Sequence, residues 1–297
     1  MKFKHLESAL SHIDYKFQDP KIVLEQYPTN AHLAAAVAFA AHAKGDLGKQ
    51  LQALDLGCGT GMLTIAASLM SQDDDDEYMS PMPVIAVDCC VDALRQAREN
   101  CDAMQIEVEF IRAALRYQPD VSSVSSPGSG AVNPRGGRYH NSKKKSYSKG
   151  GKRNKFKVSQ IPVPVDRNHN EQEAETTTET AGEQAAHNDV NDMYDDGIPL
   201  SSNCVDTVLT NPPFGTKHNA GIDVAFLKCA CRLARRAVYS FHKTSTREYI
   251  LRKAKDWNMG AEVVAEMKFD IPAMYKFHTR KSVDVEVDLI RFYFHLD

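Results

Sequence analysis

With 297 residues the chain is long enough for one large domain or two small ones, and 42% hydrophobic residues with a mean hydropathy of −0.42 describe a soluble protein carrying a polar fraction. A net charge of −3 gives no overall basic balance, no apolar run is long enough to cross a bilayer, and residues 1–17 lack the apolar stretch of a signal peptide. Seven cysteines without a CxxC pair read as reduced thiols of an intracellular protein rather than a disulfide frame or a zinc site, so no metal is expected.

In chain order, Leu6, Leu10 and Ile13 share one helical face, and residues 30–44 spell an alanine-rich second helix. Between them lies the turn Leu24-Glu-Gln-Tyr-Pro-Thr29, set by Pro28. Residues 52–56 form a short apolar strand that enters a glycine loop, and a helix follows over 62–70. A second strand spans 84–88, a helix 91–104 and a third strand 107–111; the acidic run 73–77 between the first two units reads as a solvated loop.

From residue 118 to about 203 the hydrophobic period disappears. Residues 135–157 hold ten Lys or Arg and no acid, whereas residues 171–196 hold nine Asp or Glu and no Lys or Arg. Such a composition buries too little apolar area to offset the entropy of ordering, so the segment is expected to be a disordered insertion. Its basic half, with Tyr139, Tyr147 and Phe156 interleaved, reads either as a solvated linker or as an RNA-holding arm.

The pattern then resumes with a strand over 205–210, a helix over 223–235 and a strand over 237–240. Ser245-Thr-Arg-Glu248 predicts a capping box opening the next helix, and 262–268 is a sixth strand. Val283, Val285, Val287 and Leu289 alternate with acids, marking a last strand antiparallel to the sixth. The expectation is an α/β fold: one doubly wound, seven-stranded, mostly parallel sheet spanning residues 1–297.

Two segments carry chemistry. In Asp55-Leu-Gly-Cys-Gly-Thr-Gly61 the glycines Gly57, Gly59 and Gly61 let backbone approach a ligand closely, in a GxGxG spacing that suits a nucleoside rather than a pyrophosphate. Asp88, ending the second strand, is placed to accept both hydroxyls of a ribose. Asn211-Pro-Pro-Phe214 follows the fourth strand at its carboxyl end, where ligands collect in such sheets. The Asn211 side-chain carbonyl and the Pro212 backbone carbonyl can accept both hydrogens of a planar amine and aim its lone pair at an electrophilic methyl group. Pro213 stiffens the turn, and Phe214 can stack on a flat substrate.

Leu24-Glu-Gln-Tyr-Pro-Thr29, Asp55-Leu-Gly-Cys-Gly59, Asn211-Pro-Pro-Phe-Gly-Thr-Lys217, Ser245-Thr-Arg-Glu248 and the tail from Tyr275-Lys-Phe-His278 to Phe292 together resemble the eukaryotic methyltransferase-like-five proteins. These are similar to small-subunit (18S) ribosomal RNA adenine-N6 methyltransferases. The resemblance implies a Rossmann-like class I methyltransferase fold and S-adenosylmethionine as cofactor. Residues 1–50 would cover that cofactor: Gln26 and Thr29 close over its methionine end, while Asp55, Gly57, Gly59, Thr60, Gly61 and Met62 line its loop, beside Asp88 and Asn211. Lys217, Lys276, His278, Arg280 and Lys281 would lie near the RNA.

Ribosomal RNA and a small zinc-containing activator subunit of tRNA methyltransferases are the implied partners, without a membrane, in the nucleus, nucleolus or cytoplasm. One departure concerns the cofactor: where the family usually has an acid after the third strand, this chain reads Phe110-Ile-Arg-Ala-Ala114. Three other readings of the Asn-Pro-Pro-aromatic motif remain open: a protein glutamine-N5 methyltransferase, a guanine-N2 RNA methyltransferase, and a non-catalytic RNA-binding scaffold.

Overall fold

The computed structural model describes residues 1–71, 82–117, 196–215, 219–272 and 282–294. Strand β1 (Ala53–Leu56) is buried along its whole length, as a central parallel strand must be. It is flanked by β2 (Val84–Asp88) and β4 (Val205–Thr210), both parallel to it. Beyond β2 lies β3 (Glu109–Arg112), and beyond β4 lies β5 (Ala234–Lys243), again parallel. The long strands β6 (Met259–Pro272) and β7 (Ser282–Phe294) close the sheet as an antiparallel pair, in the order β3-β2-β1-β4-β5-β7-β6. This is the expected Rossmann-like class I methyltransferase sheet, with β7 inserted antiparallel beside β5.

Alternate side chains of the central strands feed two layers. Ala53, Leu209, Ala237, Tyr239 and Phe241 face helices α1 (Phe3–Leu10), α2 (Ala31–Ala43) and α3 (Met62–Ser71). Helix α4 (Val91–Ala103) reaches the same layer through Cys101. Leu54, Leu56, Val208 and Val238 face α5 (Ile222–Leu233) and α6 (Arg247–Asp256) on the other side. Asn30 caps α2 by accepting from the Leu33 amide at 2.9 Å, which fixes where the helix starts. Past the other end of α2, buried Asp46 accepts from the Tyr239 hydroxyl at 2.8 Å and the Arg291 Nε at 2.7 Å, so the amino-terminal helices are bolted to β5 and β7.

Several sequence expectations change. Residues 118–195 lie outside the described residues, but residues 196–203, expected to belong to the disordered insertion, are built into the fold. Arg232 of α5 explains why. Its Nε and one terminal nitrogen each reach an Asp196 carboxylate oxygen at 2.8 Å, and the other terminal nitrogen donates to the Leu200 carbonyl at 2.6 Å. Ile198 is buried beneath this clamp. The Arg116 amide donates to the Asp196 carbonyl at 2.7 Å, so the two ends of the described chain meet there.

The capping box does not form. A 3-10 turn (Thr244–Thr246) precedes α6, and at its end Thr246 holds φ −104° and ψ 2°, not the extended backbone a cap requires. The Thr246 hydroxyl donates back to the Lys243 carbonyl instead. Strand β5 also starts earlier than its apolar core suggests, because Arg235 and Arg236 are exposed within it.

Burial pushes the Asp196 carboxyl up, but Arg232 and the Ile198 amide outweigh it and hold the group below the usual aspartate range. Arg232→Met should therefore cost about 2 kcal/mol of stability near neutral pH, read from urea denaturation. The loss should shrink as pH falls below about 4, where the unfolded aspartate takes up a proton that the folded, Arg232-bound one still lacks, and vanish once both are protonated. Cleavage within 196–203 should accelerate in limited proteolysis; an unchanged pattern would show that Arg232 does not hold this segment.

Candidate active site

The glycine loop leaves β1 with the amides of Gly57 and Cys58 both donating to the Val87 carbonyl, at 2.8 and 3.0 Å. Gly57 (φ +77°) and Gly59 (φ +53°) hold left-handed backbone that side chains disfavour. A Cβ on Gly57 would lie 3.1 Å from the Phe226 ring of α5, and one on Gly59 would lie 3.0 Å from Phe17. Gly61 donates to the Cys58 carbonyl and accepts from Ile65, which starts α3. Thr60 is turned to protein, donating its hydroxyl to the Tyr15 carbonyl at 3.0 Å, and Met62 is buried in the core beneath the loop.

Two carboxylates support the loop. Asp55 Oδ2 accepts from the Thr64 amide at 2.9 Å and hydroxyl at 2.7 Å, while its buried Oδ1 has no hydrogen-bond partner. Burial raises this carboxyl to about 7, against the pull of the Thr64 bonds. Asp88 accepts from the Gly59 amide at 2.9 Å and the Cys90 amide at 2.8 Å; burial raises it as well, countered by those amides. The Cys89 backbone amide and thiol bond Asp88 as well, so ribose hydroxyls would share or replace these contacts. After β3 the Ala113 amide is already committed to the Asp88 carbonyl at 3.1 Å, and so does not stand in for the missing acid.

A strap formed by residues 14–29 crosses the loop. Helix α4 holds its first part: Gln96 Nε2 donates to the carbonyls of Asp14 (3.0 Å) and Lys16 (2.7 Å). Asn100 Nδ2 bridges the carbonyls of Asp14 and Thr60. Farther along, Lys21 Nζ reaches Asp92 at 2.7 Å and Cys90 Sγ at 3.1 Å, and the Lys21 amide donates to Gln26 Oε1 at 2.8 Å. Between strap and α4 lies a cleft of about 280 Å³, lined among others by Phe17, Gln26, Cys90, Asp92 and Gln96.

The tetrapeptide begins where β4 ends. The Thr210 hydroxyl donates to the Leu56 carbonyl at 2.7 Å, bringing the start of Asn211-Pro-Pro-Phe214 beside the glycine loop. Asn211 Nδ2 donates to the Thr29 hydroxyl at 3.0 Å, which leaves Oδ1 as an acceptor. Pro212 is buried and Pro213 half-buried. Phe214 is 8% exposed, with Tyr27 nearly parallel to it, Phe269 edge-on and the Lys243 ammonium 5.8 Å from its centroid.

The structure thus brings Gln26, Thr29, Asp55, Gly57, Gly59, Gly61, Asp88 and Asn211 around one end of the sheet, with Thr60 and Met62 behind the loop. Lys217, Lys276, His278, Arg280 and Lys281 lie outside the described residues. Phe17, Phe226, Tyr27 and Lys243 escaped the sequence reading as site residues. Tyr27 stood inside a quoted motif, whereas Phe17, Phe226 and Lys243 come close only through the fold. The cradle suits S-adenosylmethionine: Gly57 and Gly59 hold left-handed backbone tight against Phe226 and Phe17, an unpartnered Asp55 oxygen lies under the loop, and Asp88 is adjacent.

Because Asp55 keeps its proton to about pH 7 when folded but loses it near 4 when unfolded, its burial lowers stability as pH rises between those values. Asp55→Asn removes that titration. Its melting temperature relative to the parent should climb from pH 4.5 to pH 7.5 in scanning calorimetry, and a flat difference would contradict the buried protonated acid.

No protein-family profile matches the chain. Over 293 residues it is 34% identical to the rRNA N(6)-adenosine-methyltransferase METTL5 of Danio rerio, covering 98% of this chain and 99% of that one. It is 33% identical to the Drosophila melanogaster protein of the same name, covering 98% and 96%. Among solved structures, a candidate RNA methyltransferase from Pyrococcus horikoshii superposes with a TM-score of 0.59 at 22% identity, over 100% of this chain and 99% of that one, a likeness that bears on the fold alone. With near-complete coverage of these relatives and the site geometry above, the chain belongs to the METTL5 family of rRNA N6-adenosine methyltransferases.

Proposed function

We propose that the chain transfers the methyl group of S-adenosylmethionine to N6 of an adenosine in ribosomal RNA, specifically that of the small (18S) subunit. The observation that carries this reading is the state of Asn211: its amide nitrogen is taken by Thr29, so its carbonyl oxygen is the group left for a substrate amine. That oxygen and the Pro212 carbonyl accept the two amine hydrogens, which turns the nitrogen lone pair out of the ring plane. S-adenosylmethionine supplies an electrophilic methyl group when bound; Gly57, Gly59 and Asp88 would hold it, with Gln26 at the strap side. Phe214 offers a stacking surface for a base drawn out of its strand.

No general base is needed before transfer, because the amine becomes acidic only once it carries the methyl group. The chain's contribution is therefore positioning and hydrogen-bond acceptance. The names of the relatives favour adenine in ribosomal RNA over a protein glutamine or guanine N2. Such a substrate would put the protein in the nucleolus or cytoplasm.

A small zinc-containing activator subunit is the proposed partner. What supports it is β3, which among the described residues is an edge strand with no neighbour on its outer side. Full activity from an isolated monomer would argue against that partner.

Incubation with labelled S-adenosylmethionine and total RNA, with the activator present, should yield labelled N6-methyladenosine after nucleoside digestion. Label in guanosine or in protein would replace this reading. Asn211→Ala should abolish transfer with cofactor affinity nearly unchanged. Thr29→Val should lower kcat about tenfold by freeing the Asn211 amide to rotate, and Thr29→Ser should restore it.

A further inference from the structure

Within four residues the strap touches three parts of the site. Gln26 lines the cleft beside α4, Thr29 holds the first residue of the tetrapeptide, and Tyr27 faces the last. The rings of Tyr27 and Phe214 are 21° from parallel with centroids 6.5 Å apart. Stacked bases repeat at about 3.4 Å, so two plates holding a third between them stand about 6.8 Å apart. Edge-on Phe269 sits 6.0 Å from Phe214, walling the side of that ring rather than offering it a stacking face. Tyr27 is half-buried and belongs to a segment that contributes no element to the sheet, whereas Phe214 is fixed to the end of β4.

We propose that Tyr27 is the second aromatic plate of the base pocket, so that the target adenine is held between Tyr27 and Phe214 with its amino group at Asn211. This deepens the adenine reading above and rests on it. Stacking on both faces rewards a purine over a smaller pyrimidine and resists the return of the base to its strand. Tyr27 is thereby a specificity-determining residue of the substrate side, distinct from the cofactor-covering role of the strap.

The test uses the full-length protein and a single-stranded RNA heptamer carrying one central 8-vinyladenine, which keeps the 6-amino group and whose fluorescence is quenched by stacking. Parent protein and Tyr27→Phe should both quench it. Tyr27→Leu should lose most of the quenching and raise KM for RNA roughly tenfold or more while shifting the affinity for S-adenosylmethionine less than twofold. That unshifted affinity also reports that the variant is folded. Parent-like quenching and KM in Tyr27→Leu, or a loss confined to cofactor affinity, would overturn the plate while leaving adenine methylation standing. If the parent protein labels no adenosine, the adenine reading fails, and the plate falls with it.

Discussion

The hydrogen bond from the Thr210 hydroxyl to the Leu56 carbonyl joins the two halves of the chemistry. Strands β1 and β4 pair in register as far as Asp55 and Leu209, and this side-chain bond carries the pairing one step past the end of the ladder. From that point one chain turns into the glycine loop and the other into the tetrapeptide. Methyl transfer tolerates little misplacement of its partners, and a displacement of about 1 Å can cost roughly a hundredfold in rate. Two strands, β1 buried throughout and β4 buried but for Asp206, tied at their ends supply that rigidity better than any loop.

Everything above this junction is laid on rather than woven in. The strap reaches the site without joining the sheet, and α4 holds it through side-chain amides that satisfy its backbone carbonyls. Gln96 anchors residues 14–16, and Asn100 serves two ends at once, holding the Asp14 carbonyl and steadying the Thr60 carbonyl of the loop below. Beneath the loop, buried Asp55 and half-buried Asp88 carry a desolvation cost that backbone amides and Thr64 only partly offset. Such an arrangement stores unspent hydrogen-bonding capacity where a charged ligand would arrive.

The parts legible in the sequence are those where chemistry dictates residue type locally. Asp55 to Gly61 and Asn211 to Phe214 announce themselves because a close backbone approach needs glycine and a rigid pair of acceptors needs Asn next to proline. Alternation along 283–289 likewise gave away an antiparallel strand. Contacts that depend on the assembled fold stayed hidden. Phe17 and Phe226 approach the loop from elements far apart in sequence, and Arg232 orders residues 196–203 although their composition resembles the polar segment before them. The Ser245 to Glu248 pattern misled because a 3-10 turn stands where the cap was expected, with Thr244 donating to Asp288 on β7.

The meeting of Arg116 with Asp196 has a consequence for how this chain can change over time. Its two feet stand one hydrogen bond apart, and Arg232 pins one of them to a helix of the main body. Chain added or removed between such fixed feet alters closure entropy slowly, by about 0.6 kcal/mol for each doubling of length. The fold therefore has a socket at which sequence can expand, contract or be exchanged for foreign cargo without moving Asn211 or the glycine loop. Descendants of this gene could remodel that stretch freely while the reaction centre stays under strict geometric selection.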